Sequence, residues 1–223
     1  MGTLTKKIEI SKEAFIKELL SGNLRKDLVV TEDVIIENIS NPDLNIHLKN
    51  TVFKGDLQIK NVIVCTIITS GIKSNNFLIQ KTKAHDILCN GDTIVAQIII
   101  EDCDIKMNVD FKGVSANRLE LDKISPSFCS IYNNSTFNTI LFRGDVRVST
   151  CTIRNSTIKE KLYLNGMISK AVFILENNEI EGAVYYGNAK FKGRFETDNP
   201  NIAQTFVWWK SSGRTLQFDW REL

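Results

Sequence analysis

From Asn50 to Cys89 the chain reads NTVFK GDLQI KNVIV CTIIT SGIKS NNFLI QKTKA HDILC, eight consecutive units of five residues. The third residues are Val52, Leu57, Val62, Ile67, Ile72, Phe77, Thr82 and Ile87, all apolar but one. Asp56, Asn61, Asn76 and Asp86 stand just before four of them. A period of five matches neither the 3.6 of a helix nor the 2 of a flat strand. It matches a chain that turns a corner every five residues and sends one side chain inward from each wall. Four walls close a coil of about twenty residues, the arrangement of a parallel β-solenoid.

The same beat runs on beyond Cys89 in steps of ten to twelve residues. Leu57, Ile67, Phe77, Ile87, Ile98, Val109, Leu119, Cys129, Leu141, Cys151, Leu162, Val172, Val184 and Phe195 are all apolar. Two residues further on, Ile59, Ile79, Ile100, Phe111, Leu121, Ile131 and Ile153 repeat the pattern, and Arg143 interrupts it. This alternation is that of short strands with one buried face. It predicts that Leu119 and Leu162 point inward and that Glu120 and Lys161 point outward. Cys65, Cys89, Cys129 and Cys151 are expected inside, with Cys129 and Cys151 stacked one coil apart. Asn90-Gly91-Asp92, Asn133-Asn134 and Asn177-Asn178 read as corners, where small amides accept left-handed backbone. Gly55, Gly144, Gly182 and Gly193 precede inward residues and read as close backbone bends.

Upstream, Leu24, Leu28, Val30, Val34, Ile36, Ile39, Leu44, Ile46 and Leu48 form imperfect inward sets. Residues 11–21 read as a short helix: Ser11 caps it, Glu13 lies in its first turn, and Gly22 stops it. A solenoid leaves an open edge and uncovered interior at its first coil, so a cap is the natural role for this helix. The expected divisions are residues 1–23 as capping helix, 24–197 as β-solenoid, and 198–223 as C-terminal cap or dimerisation segment.

The 223 residues carry a net charge of +2, too small for a whole-molecule field that would draw in nucleic acid. Five cysteines without CxxC spacing argue against a disulfide framework or zinc site and suit a reducing compartment, so the cytoplasm is expected. No apolar run approaches the ~20 residues of a membrane helix.

Gly55-Asp56-Leu57, Lys60-Asn61-Val62, Asn75-Asn76-Phe77, His85-Asp86-Ile87 and Gly144-Asp145-Val146 resemble the motif of the pentapeptide-repeat proteins. That resemblance implies a right-handed quadrilateral β-helix, usually without enzymatic activity. Some members of that family mimic duplex DNA and bind DNA gyrase, a role that needs a strongly negative surface which this near-neutral chain lacks. Members that dimerise often do so through their C-terminal ends.

Candidate chemistry is sparse. Glu101-Asp102-Cys103-Asp104, with Asp110 and Asp122, could supply carboxylates to a cleft, as in carbohydrate-active β-helix enzymes. The beat leaves almost no room for the loops that build such clefts. His47 and His85 stand apart from any nucleophile or metal-ligand spacing. Arg143, Arg147, Arg154, Lys159, Lys161, Lys190, Lys192 and Arg194 are a modest basic set, without the interleaved aromatics of a nucleic-acid surface. The expectation is therefore a non-enzymatic interaction or scaffold module that needs no cofactor or metal and binds a protein partner. The alternative is a carbohydrate-active lyase or glycoside hydrolase. Phe206, Trp208, Trp209, Arg214, Phe218 and Trp220 are the candidate interface, expected to meet a second copy in a homodimer. The competing reading is that they fold back as a cap within one chain.

Overall fold

The computed structural model describes residues 7–185 and 188–198. Its strands form one continuous parallel sheet wound into a right-handed β-solenoid of about nine turns. The pairings fall into four ladders, which are the walls. The first wall stacks Glu9, Val29, Val52, Lys73, Ile94, Ser115, Thr136, Thr157 and Glu179. On the second wall Val34 lies under Leu57, followed by Phe77, Ile98, Leu119, Ile140, Leu162 and Val184. The third is a narrow ladder through Ser40, Ile63, Lys83 and Asp104. The fourth stacks Ile46, Ile67, Ile87, Val109, Cys129, Cys151, Phe173 and Phe195.

The inward residues of the second and fourth walls form the core, and Leu57, Phe77, Ile98, Leu119, Ile140 and Leu162 are completely buried. Successive strands rise about 4.8 Å, so nine rungs make a rod ~40 Å long. The five-residue phase is explained by its inward centres. Leu57, Val62, Ile67, Ile72, Phe77, Thr82 and Ile87 all have no exposed surface, and Val52 is half-buried.

Left-handed backbone recurs at two opposite corners. After the second wall come Asn38, Asn61, Lys81, Asp102, Lys123, Gly144 and Asp145, all with positive φ. After the fourth come Asn50, Gly71, Gly91, Asp92, Gly113, Asn133, Asn134, Asn155 and Asn177. Each corner turns the next side chain into the core. Where that side chain is Thr or Ser, its hydroxyl donates to a nearby corner carbonyl: Thr51 to Lys49 O at 3.0 Å, Thr82 to Gln80 O at 3.0 Å, and Ser135 to Tyr132 O at 2.8 Å. Buried carbonyls at the bends are thereby satisfied without water.

The beat slips at two places. It predicts Leu141 and Val172 in the inward column, whereas Ile140 and Phe173 occupy it. Leu141 is instead outward but covered, and Val172 is half-buried. One extra residue lies between Ile158 and Lys161, opposite Phe137–Thr139, and another between Ser169 and Val172, opposite Val148–Thr150, and each shifts the parity of the residues beyond it. Phe142, fully buried, takes the place that a regular count assigns to Arg143.

The helix spans Lys12–Leu20, with Ser11 accepting from Ala14 N as its cap. Phe15 and Leu19 are buried in the core cluster, and the Phe15 ring meets Phe53 edge-on at 5.3 Å. The helix thus plugs the first coil. A strand ahead of it, Ile8–Ile10, pairs with Leu28–Val30 and begins the sheet. At the other end Phe173, Phe191 and Phe195 form an aromatic cluster with centroids 5.0–5.2 Å apart. Gly182 and Gly193 lie against the coil below. An added Cβ would stand 1.6 Å from Glu160 O and 1.8 Å from Ala171 O, so the close bends expected there are present.

Candidate interaction surface

A strand of a solenoid wall sends two side chains in and leaves three outward, which form three columns along the rod. On the second wall the middle outward column is Ile35, Gln58, Leu78, Ile99, Glu120, Leu141, Tyr163 and Tyr185. Six of these eight are apolar or aromatic, on a face that points away from the core. Ile35 is 42% exposed and Tyr185 40%, and the Tyr163 and Tyr185 rings stack at 4.4 Å. The flanking columns are polar. Asp56, Asn76, Gln97, Arg118, Thr139 and Lys161 lie on one side, and Lys60, Gln80, Glu101, Asp122 and Arg143 on the other.

Glu120 departs from expectation. It points outward as predicted but is 8% exposed, because two arginines cover it. Arg118 pairs with one carboxylate oxygen and Arg143 Nη1 approaches the other at 3.2 Å. The carboxylate fills a gap between Ile99 below and Leu141 above. Its charge is neutralised sideways, which leaves the column around it apolar.

The fourth wall is different. Its middle outward column is His47, Ile68, Leu88, Asp110, Ser130, Thr152, Ile174 and Glu196, mostly polar. Asp86 accepts from Asn108 N at 3.1 Å and Asn108 Nδ2 at 2.6 Å, and lies 2.7 Å from His85 Nδ1. Although partial burial works against the charge, bonds from His85 and Asn108 hold the Asp86 carboxyl below its ordinary range. Burial pushes the neighbouring Asp110 carboxyl up, opposed by a bond from Ser130 and reinforced by the Asp86 charge. Burial, with Asp110 beside it, also raises the Tyr132 phenol.

The acidic residues singled out in the sequence do not converge. Glu101 and Asp122 are stacked on the second wall, while Asp102 stands at a corner 3.4 Å from Lys123 Nζ. Asp104 lies on the third wall and Asp110 on the fourth. Cys103, between them in sequence, is buried. Among the described residues no three His, Cys, Asp or Glu side chains gather as metal ligands would. The basic residues also disperse. Arg147 pairs with Asp145 at 3.1 Å, Arg154 with Glu176 at 2.9 Å, and Arg194 with Glu196.

All five cysteines are free, and four are buried. Cys65, expected inside, is half-buried, because it sits at the turn before Ile67 rather than in the inward column. The six C-terminal candidates, Phe206, Trp208, Trp209, Arg214, Phe218 and Trp220, lie outside the described residues. No helix among the described residues is long and apolar enough to cross a membrane.

The outer apolar column has a signal in the sequence. Val34-Ile35-Ile36, Phe77-Leu78-Ile79, Ile98-Ile99-Ile100 and Ile140-Leu141-Phe142 are unbroken apolar triplets, the pattern of strands covered on both faces. Comparison of the chain with protein-family models, with curated proteins and with solved structures finds no match.

Proposed function

We propose that this chain is a non-enzymatic protein-interaction module, a rigid pentapeptide-repeat-like rod whose second wall is its contact surface. The observation that carries this reading is the outer column Ile35, Leu78, Ile99, Leu141, Tyr163 and Tyr185, aligned along one wall and rimmed by polar side chains. An apolar patch with a polar rim is the anatomy of a protein-binding surface. Pairing of two copies through residues 198–223 belongs to the same reading, on the strength of the aromatic residues in that segment. The test is affinity capture from the native host with wild type and with Ile99→Arg. Proteins retained by the wild type and lost from the variant support the reading; an identical captured set from both counts against it.

A second reading, a carbohydrate-active β-helix, draws support from Asp86 and Asp110. Their environments push two nearby carboxyls in opposite directions, as an acid and base pair requires. It predicts release of reducing ends from a polysaccharide panel by the wild type and not by Asp110→Asn.

A further inference from the structure

We propose that the occupant of the second wall is a second copy of this chain, packed face to face, with both rods pointing the same way. This rests on the reading of that wall as a contact surface. Packing one wall on its copy about a two-fold axis parallel to the rods keeps every rung level with its counterpart and reverses the strands. Each residue of one flanking column then faces the other flanking column of the second copy, and the middle column meets itself.

The flanks of this wall fit that operation at four successive rungs. Asp56 meets Lys60 of the second copy, Asn76 meets Gln80, Gln97 meets Glu101, and Arg118 meets Asp122. Each rung thus offers two ion pairs or two polar pairs, one on either side of the apolar column. An antiparallel pair centred on the wall sets Glu101 against Asp122 of the second copy at both central rungs, where like charges repel. In the parallel pair Glu120 meets its own counterpart on the axis. The Arg118 and Arg143 guanidiniums that hold it in each copy supply four positive charges there. One unfavourable contact is left, Asp33 against Glu37 at the first rung, where both side chains are solvent-exposed.

The fourth wall does not qualify. His47, Asp110, Ser130, Thr152 and Glu196 interrupt its middle column, so self-packing there would take five polar or charged side chains out of water. The second wall, about 13 Å wide and 34 Å long, offers roughly 450 Å² of footprint per copy. A pair therefore buries about 900 Å² in total, in the range of weak, transient interfaces. Association is accordingly reversible and concentration-dependent. A parallel pair also brings the last described strands, Arg194–Thr197, of the two copies to the same end of the assembly, so a contact through residues 198–223 is compatible with the same dimer.

The experiment uses the full chain in sedimentation and light scattering across a concentration series, with two variants. Wild type is expected to pass from monomer to dimer, and Ile99→Arg to raise the midpoint by at least about tenfold, since one substitution acts twice. In a Cys65→Ser background, Gln58→Cys is expected to cross-link to itself under mild oxidation, because it lies in the self-meeting column. Lys83→Cys, on the third wall, is not. Cross-linking of Gln58→Cys with Tyr163→Cys in a mixture, and of neither alone, would indicate an antiparallel pair and overturn the inference. A dimer indifferent to Ile99→Arg but abolished by Trp209→Ala with Trp220→Ala overturns it in favour of the C-terminus alone. Wild type that stays monomeric throughout also overturns it. In that case, loss of host proteins from Ile99→Arg in the capture experiment leaves the contact-surface reading standing with a different partner, and no loss removes both.

Discussion

Cys129 lies directly under Cys151, one rung apart on the fourth wall, and both side chains are fully buried and unbridged. Burial pushes the Cys151 thiol well above its ordinary value, and the Cys129 thiol beside it pushes the same way. The thiolate is the reactive form, so these sulfurs behave as packing atoms while the coil is intact. A thiol reagent at pH 8 should label Cys65 first and the other four only on unfolding. Rapid native labelling of Cys129 or Cys151 would contradict the wall assignment.

The same burial sets an alkaline limit on stability. Cys89 and Cys103 are each pushed up to about 12 by desolvation, above the value of a thiol in the unfolded chain. Both states are protonated below about pH 8, so these groups add no pH dependence there. Above the unfolded value the unfolded chain loses protons first. Stability should then fall by up to about 1.4 kcal/mol per pH unit for each buried thiol, until the folded value near 12 is reached. Urea midpoints between pH 8 and pH 11 measure this, and serine at both positions should flatten the profile.

Leu119 and Leu162 occupy the inward column of the second wall with no exposed surface. Leu→Ala at either should cost about 2–5 kcal/mol. Lys161→Ala, on the outside, should change stability little. Glu120→Ala should cost about 1 kcal/mol or less, because the two guanidiniums it releases are already partly solvated. Thermal melts that rank Lys161 with the leucines would overturn the register.

Lys81 holds φ +48°, a left-handed corner conformation that a Cβ disfavours and that Asn, Asp or Gly fills at the equivalent corners other than Lys123. Lys81→Asn should therefore stabilise the protein, by up to about 1 kcal/mol. A lowered melting temperature would show that the lysine side chain contributes more than its backbone strain costs.

Gly182→Ala and Gly193→Ala each drive a methyl group into the backbone of the rung below. Coils contact only their neighbours, so the damage should stay at that end. Hydrogen exchange should speed up across Ala183–Tyr185 and Arg194–Thr197 and remain slow across Lys83–Glu101. Uniform acceleration along the rod would mean that the coils unfold as one unit.

The solenoid was legible because inward residues recur with a spacing that no other backbone produces. Leu57 through Ile87 establish the corner period, and Ser11, Glu13 and Gly22 mark the helix. The register became illegible where one residue was inserted. Ile140 and Leu141 are equally apolar, and the extra residue between Ile158 and Lys161 makes a regular count back from Leu162 land on Leu141 rather than Ile140. Lys81 and Lys123 were equally hidden as corners, since nothing in a lysine announces left-handed backbone. The contact surface was half legible. Triplets such as Ile98-Ile99-Ile100 reveal a strand apolar on both sides, but only three-dimensional stacking shows that they share one wall. Glu120 interrupts the column in sequence and is neutralised in space by Arg143, a residue 23 positions later.

From Asn38 to Asn155 the two left-handed corners of each coil mark off half a coil, ten to twelve residues, the unit that the chain repeats. Duplicating a whole coil of about 21 residues would lengthen the rod by about 4.8 Å and leave every outward residue on its own face. Duplicating half a coil would keep the interior sound while carrying everything beyond it to the opposite face, so that the apolar column breaks in the middle and resumes on the far side. The inside is thus indifferent to a change that would erase the outside. Growth of such a chain is quantised, in full turns wherever its surface is under selection and in half turns wherever only its core is.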